Sequence, residues 1–231
     1  VRMEQYLLNH LQINSIQCAI GGSMGGMIAL EFALIDPRIQ RAFLMAMGKA
    51  HTAWSIGLSH LQRQAIYQDP HWKEGGYTAE TAPSQGLSLA RQIGMMTYRS
   101  PENYEAKFGR DIREITKYPY YQVESYLDYQ GQKLNKRFDA LVYERLTRSM
   151  DTHDISRDRG SFKEVAKQLT IPIHVVGILS DALYPISEQK DLAQLLPNGQ
   201  FTALDSPYGY DAFLIEFDQL THILSRFLAT T

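Results

Sequence analysis

Ser23 lies in Gly21-Gly22-Ser23-Met24-Gly25, a Gly-x-Ser-x-Gly pattern, and a serine framed in this way is a candidate acyl-group nucleophile. The chemistry needs a sharp turn that lifts the hydroxyl clear of the backbone, and a side chain at Gly21 or Gly25 is expected to collide with a neighbouring strand or helix. Residues 16–20 before the turn are apolar enough for a buried strand, and residues 27–34 after it are strong helix formers. Strand, turn and helix together separate a nucleophile elbow from an ordinary Gly-rich turn. The same geometry puts the Met24 N–H at a helix N-terminus, where it can hold an oxyanion.

A serine nucleophile needs a base and an acid that orients the base. In chain order after such an elbow the acid comes second, and Asp181 fits it, one residue beyond a predicted strand over 173–179; a turn cap is the alternative role for the same residue. The base belongs in the loop 205–211, which contains no histidine. Tyr210 cannot replace imidazole there, because a phenol with a pKa of about 10 donates a proton at neutral pH but hardly accepts one. His51, just after the second predicted strand, is a weaker substitute base. His60, three residues before Arg63 on a predicted helix, is a similarly weak candidate, and His222 reads as a surface or half-buried residue. Asp151-x-His153-Asp154 has ligand-type residues at close spacing, but a turn with an aspartate cap explains it better, so no metal site is expected.

The elements that must position these residues read as an α/β chain. Helix over 1–11, strand 16–20, elbow helix and strand 42–47 begin a parallel sheet. Residues 50–167 then show no convincing strand, only helices over 54–68, 84–98 and within 120–150, with turns near Gly131 and Asn135. Loop signals stand at Asp69-Pro70, Gly75-Gly76, Ser100-Pro101 and Tyr118-Pro119. An all-helical insertion of this size is expected to lie over the carboxyl edge of the sheet as a lid. The sheet resumes with strand 173–179, a helix over 185–196 with Ser187 as its cap, strand 200–204, and a packing helix over 212–228 for which Asp211 is an N-cap. The organisation is therefore core 1–50, lid 51–168 and core 169–231. A doubly wound sheet rarely starts on the helix at residue 1, so an upstream segment carrying strands is expected to be missing, which leaves an open sheet edge.

Bulk composition narrows the class. The 231 residues are 44% hydrophobic and 21% charged, with a formal net charge of −2, which fits one soluble globular domain and argues against a general nucleic-acid binder. No stretch is apolar for long enough to span a bilayer, and no secretory signal pattern opens the chain, so it reads as cytoplasmic. The single cysteine, Cys18, reads as a buried structural thiol. The tyrosines at 118, 120, 121, 126 and 129 read as lid packing or a subunit contact, with nucleotide stacking as the alternative.

Several separated motifs add a resemblance that runs from end to end. Gly-Gly-Ser-Met-Gly-Gly-Met with Ala29-Leu30-Glu31, Arg63-Gln64-Ala65-Ile66 with Asp69-Pro70-x-Trp72, Gly86-Leu87-x-Leu89-Ala90-Arg91 and Thr97-Tyr98 come first. Lys107-Phe108-Gly109-Arg110, Ser149-Met150-Asp151, Ser180-Asp181 and Gly209-x-Asp211-x-Phe213-Leu214 follow in order. Together they resemble the homoserine O-acetyltransferase family. The resemblance implies an α/β-hydrolase fold with a helical lid, and transfer of acetyl from acetyl-CoA to the hydroxyl of homoserine through a serine acyl-enzyme, in methionine biosynthesis. It implies the nucleophile on Ser23, the acid on Asp181, Arg63 for the substrate carboxylate and Asp211 for its amine. It implies no bound cofactor, small-molecule partners and a homodimer through the lid. Two departures stand out: Tyr210 occupies the family's histidine position in Gly-His-Asp, and the family's segment before the elbow, with its second oxyanion donor, is lacking. An esterase of the same fold, or a catalytically dead remnant, is the alternative.

Overall fold

The computed structural model describes residues 1–229. In chain order they form α1 (Arg2–His10), β1 (Ala19–Gly22), α2 (Met24–Ile35), β2 (Ala42–Met45), α3 (Ala53–Tyr67), α4 (Ser84–Tyr98), α5 (Pro101–Phe108), β3 (Ile112–Ile115) and β4 (Pro119–Tyr121). There follow α6 (Gln122–Asn135), α7 (Ala140–Asp151), α8 (Phe162–Ala166), β5 (Ile173–Ile178), α9 (Ile186–Leu195), β6 (Gly199–Leu204) and α10 (Phe217–Ala229). No helix is long and apolar enough to cross a membrane among the described residues.

Contacts divide the chain into two units. The first comprises residues 1–50, 153–206 and the chain from Tyr210 onward; the second comprises 51–152 and 207–209. Residues 153–168, assigned to the lid from sequence, cluster with the first unit, where Ile155, Val165 and Ala166 are fully buried.

In the first unit β1, β2, β5 and β6 form a parallel sheet in the order β1-β2-β5-β6. All six residues of β5 are buried, as a strand covered on both faces requires. In register, Gly22 lies beside Met45, and Met45 beside Val176, so β1 and β2 end level and β5 runs on to Ile178. The segments after them carry Ser23 and Asp181. The first strand is Ala19–Gly22 rather than 16–20, because only an isolated bridge, Ile16 to Ile39, forms earlier. Cys18 therefore precedes the strand and is half-buried, and burial raises its thiol pKa. α1 forms as expected, but its apolar stripe is exposed, with Met3 at 75% and Tyr6 at 71%.

In the second unit α3, α4, α6 and α7 pack around Ile66, Leu87, Ala90, Leu134, Ala140 and Tyr143. Three readings of this segment change. It is not all helical, since β3 and β4 form an antiparallel hairpin. Every residue of β3 is exposed, so no hydrophobic alternation marks it. Gly131 is not a turn but lies inside α6, where a Cβ would stand 2.1 Å from Ser88 Oγ; its bareness lets α6 close on α4. Ser100-Pro101 is not only a loop but the start of α5, with Ser100 Oγ accepting from the Asn103 N–H and proline in the first turn.

Two caps also differ. α9 begins after Pro185, not after a Ser187 cap. The last helix begins at Phe217, because Gly209–Leu214 is a separate 3-10 turn, so Asp211 is not its N-cap.

Gly21 and Gly25 part ways. A Cβ at Gly21 would lie 2.2 Å from the backbone C and O of Gly25, whereas one at Gly25 meets nothing within 4 Å. Gly26 is also tight, with Met47 Cγ at 2.8 Å. Gly21→Ala should therefore cost about 3 kcal/mol or more in chemical denaturation, since backbone cannot yield as a side chain does. Gly25→Ala should be neutral or gain about 0.5 kcal/mol as a helix substitution.

Candidate active site

Ser23 occupies the one-residue turn between β1 and α2, at φ 54° and ψ −125°, a conformation costing a non-glycine residue about 1–3 kcal/mol. The sheet holds it there: its N–H donates to Met45 O at 2.8 Å, and its carbonyl accepts from the Met27 N–H at 3.0 Å. The residue is 9% exposed. Met24 opens the twelve-residue α2, and its N–H lies in the first turn, where a helix offers no internal acceptor. A developing oxyanion beside Ser23 therefore finds a donor and the positive end of the helix dipole.

Asp181 stands after β5, two strands along from β1, which at ordinary strand spacing is about 10 Å between strand axes. It is 6% exposed. Its Oδ1 accepts from the N–H groups of Leu183 and Tyr184, both at 2.8 Å, so the turn-cap role is filled. Its Oδ2 is buried without a hydrogen-bond partner among the described residues. Burial, opposed by those two N–H groups and reinforced by the nearby charges of Glu188 and Asp211, pushes the carboxyl up to about 7. A carboxylate with one oxygen fixed and the other open is built to receive a further donor.

Residue 210 lies in the loop after β6 and packs on Tyr184, the neighbour of Asp181. The Tyr210 ring lies 6.0 Å from Tyr184, whose N–H holds Asp181, and 5.3 Å from Phe213. Phe213 in turn covers Gly22: a Cβ there would meet its ring at 2.5 Å. The ring of residue 210 is thus bracketed by Phe213, which packs on Gly22, and by Tyr184, whose N–H donates to Asp181. From sequence Phe213 stood only in a motif of the resemblance and on the packing helix expected over 212–228; it lies instead in the 3-10 turn, closing on the bare Gly22 beside the serine. Asp211, half-buried in the same turn, contributes charge near Asp181.

The second unit holds a separate polar cluster. Arg63 Nη2 pairs with Asp151 Oδ2 at 2.6 Å, and His51 Nδ1 lies 3.1 Å from Asp151 Oδ1. Arg63 is 5% exposed, and its Nη1 is buried without a hydrogen-bond partner among the described residues. Asp151 was read from sequence only within a motif and a doubtful metal pattern. Its spacing from the buried Glu144 and Thr147 on α7 is the signal that it faces inward. The rest of that pattern is engaged otherwise: His153 Nε2 donates to Gly48 O at 2.9 Å, and Asp154 accepts from the Ser156 N–H and hydroxyl. His60 and His222 are exposed.

A family model described as alpha/beta hydrolase fold matches residues 1–216. The chain belongs to the alpha/beta hydrolase fold family. Within that family it is similar to a homoserine O-acetyltransferase of Chlorobium chlorochromatii, 47% identical over 230 residues that make up 99% of this chain and 64% of the relative. The chain thus spans slightly less than two thirds of that relative. A crystal structure of homoserine O-acetyltransferase from Bacillus anthracis has a TM-score of 0.92 at 22% identity, covering 100% of this chain and 64% of the other. An acetylester hydrolase from Corynebacterium glutamicum has a TM-score of 0.86 at 18% identity, covering 99% and 65%. At those identities the likeness is one of fold, and the expected α/β-hydrolase class with a parallel sheet and an inserted segment stands.

Proposed function

We propose that this chain carries the acyl-transfer chemistry of a homoserine O-acetyltransferase, with acetyl-CoA as donor and the hydroxyl of L-homoserine as acceptor. The observation that carries the reading is 47% identity, along 99% of the chain, to a relative of that name. Ser23 Oγ bonds to the acetyl carbonyl carbon, the Met24 N–H holds the oxyanion, and the carbon–sulfur bond breaks to release CoA with the serine proton. The homoserine hydroxyl then takes the acetyl group and returns a proton to Ser23. Asp181 orients the base. Tyr210 in the base position leaves the native chain slow, so the remnant reading is the rival to defeat. No bound cofactor is needed. The pathway is methionine biosynthesis, the setting cytoplasmic and the assembly a homodimer through the helical segment.

The acceptor end rests on Arg63 and Asp211. Arg63 Nη1, buried and unpartnered while Nη2 is clamped by Asp151, supports a role in receiving the acceptor's carboxylate, and Asp211 supplies an anion for its amine. In Tyr210→His protein, Arg63→Lys should raise the KM for homoserine about ten- to hundred-fold and leave Ser23 acylation by acetyl-CoA unchanged. Equal losses in both steps would remove Arg63 from acceptor binding. The reading as a whole is tested by following acetyl from the acyl-enzyme in the presence of homoserine: O-acetylhomoserine supports it, while release to water alone makes the chain an esterase.

A further inference from the structure

We infer that a cavity within the second unit binds the adenine nucleotide end of the acyl donor, through cations seated on aromatic faces. The inference rests on the acyl-CoA reading for its ligand, but its evidence is separate from Ser23, Asp181 and Arg63.

The cavity measures about 130 Å³ and opens among α5, α6 and the residues 207–209. One wall is aromatic: Phe108 and Tyr126 have ring centroids 5.0 Å apart, and Tyr104 lies 5.8 Å from Phe108 and edge-on to Tyr126 at 6.3 Å. Lys107 Nζ sits 4.5 Å from the Tyr126 centroid and 5.1 Å from that of Phe108. Opposite, Arg99 Cζ lies 6.0 Å from the Tyr208 centroid. Asn103 is the remaining lining residue, so the cavity carries two cations and no carboxylate.

The walls are built before any ligand arrives. The Tyr104 hydroxyl donates to Met95 O at 2.8 Å and fixes that ring. Ser100, fully buried, donates through Oγ to Pro207 O at 2.6 Å while accepting from the Asn103 N–H at 3.0 Å. Gly209, at φ 67°, brings the loop so near that a Cβ would stand 2.6 Å from Ser100 N. Tyr208 is therefore held beside Arg99, two residues before Tyr210.

This combination suits one ligand chemistry. Faces of tyrosine and phenylalanine stack a planar base, and the ammonium and guanidinium supply counter-charge for phosphate. At about 30 Å³ per water, the cavity has room for roughly four waters, the scale of one heterocycle with its phosphate at the mouth rather than a whole nucleotide. Acetyl-CoA carries such a group, an adenosine with a 3′-phosphate. The tyrosine stacking left as an alternative from sequence thus falls on Tyr126, joined by Tyr104 and Tyr208.

Calorimetric titration with 3′,5′-ADP, ADP, CoA and pantetheine tests the inference on the whole chain. The expected result is that 3′,5′-ADP and CoA bind, that exposed Lys107→Glu weakens both at least tenfold, that Lys107→Arg restores most of the loss, and that pantetheine is indifferent to all three forms. Tyr126→Leu should weaken the same two ligands. Absence of 3′,5′-ADP binding, equal binding by Lys107→Glu, or ADP binding as tight as 3′,5′-ADP overturns it. If the nucleotide binds through Lys107 while acetyl-CoA fails to acylate Ser23 in Tyr210→His, the proposed activity falls and the nucleotide site stands. If acylation proceeds and Lys107→Glu leaves its KM for acetyl-CoA unchanged, the activity stands and the nucleotide site falls.

Discussion

Tyr210→His is expected to raise the rate of Ser23 acylation by acetyl-CoA by about four to six orders of magnitude, the range over which removing one member silences a serine triad. An ordinary phenol, with a pKa of about 10, is a poor acceptor for the serine proton at neutral pH, whereas an ordinary imidazole has a pKa of about 6.5. The place is prepared for it. Asp181 Oδ2 is buried and open, and the ring at 210 stands between Phe213 on the elbow side and Tyr184 on the acid side. Imidazole is smaller than phenol, so the change needs no repacking of either neighbour. Intact-mass time courses on native chain, Tyr210→His and the Ser23→Ala blank measure the effect. Equal acylation of the first two would mean that another base serves Ser23, and that Tyr210 is not the defect. Failure of both would show that serine, acid and histidine do not suffice in this chain, and would favour the remnant reading.

The elbow was legible because every part of it is local. A strand, two glycines, a serine and helix formers are contiguous, and the backbone strain at Ser23 follows from the connection itself. The place of Asp181, just after β5, was legible because strand count fixes which loop follows that strand. The open state of its Oδ2 was not, since that depends on what lies across space, and the sequence only says that histidine is missing. Gly25 shows the limit of motif reasoning, because the pattern marks it as crowded while the tight approach falls on Gly26. The exposed hairpin 112–121 and the aromatic corner at Tyr104, Phe108 and Tyr126 carried no periodicity that could be read in advance. The inward face of Asp151 follows from the burial of Glu144 and Thr147, which the sequence does not show, and its partnership with Arg63 and His51 joins residues about a hundred positions apart.

Asp181 also makes the stability of the fold depend on pH in a direction opposite to that of most carboxylates. Its pKa of about 7 in the native state lies above the 3.8 of an unperturbed aspartate, with burial as the first cause. Below about pH 4 both native and unfolded chains hold the proton, and the residue costs nothing through this route. Between about 4 and 7 the unfolded chain releases it while the native chain retains it, so stability falls as pH rises. Above 7 both are ionised and the full penalty is present, on the order of 4 kcal/mol for a shift of about three pKa units. Urea denaturation across that window should therefore show Asp181→Asn gaining on the native chain by up to about 4 kcal/mol from pH 4 to pH 8, whatever its offset at pH 4. A constant difference would mean that Oδ2 is solvated or already paired in solution. The same experiment on Tyr210→His links the two predictions. An imidazolium beside Oδ2 favours the ionised carboxylate, so the histidine should shrink the pH-dependent gain while restoring acylation. A histidine that restores acylation but leaves the gain intact would be reaching Ser23 without touching Asp181, and the acid would then have no part in the chemistry.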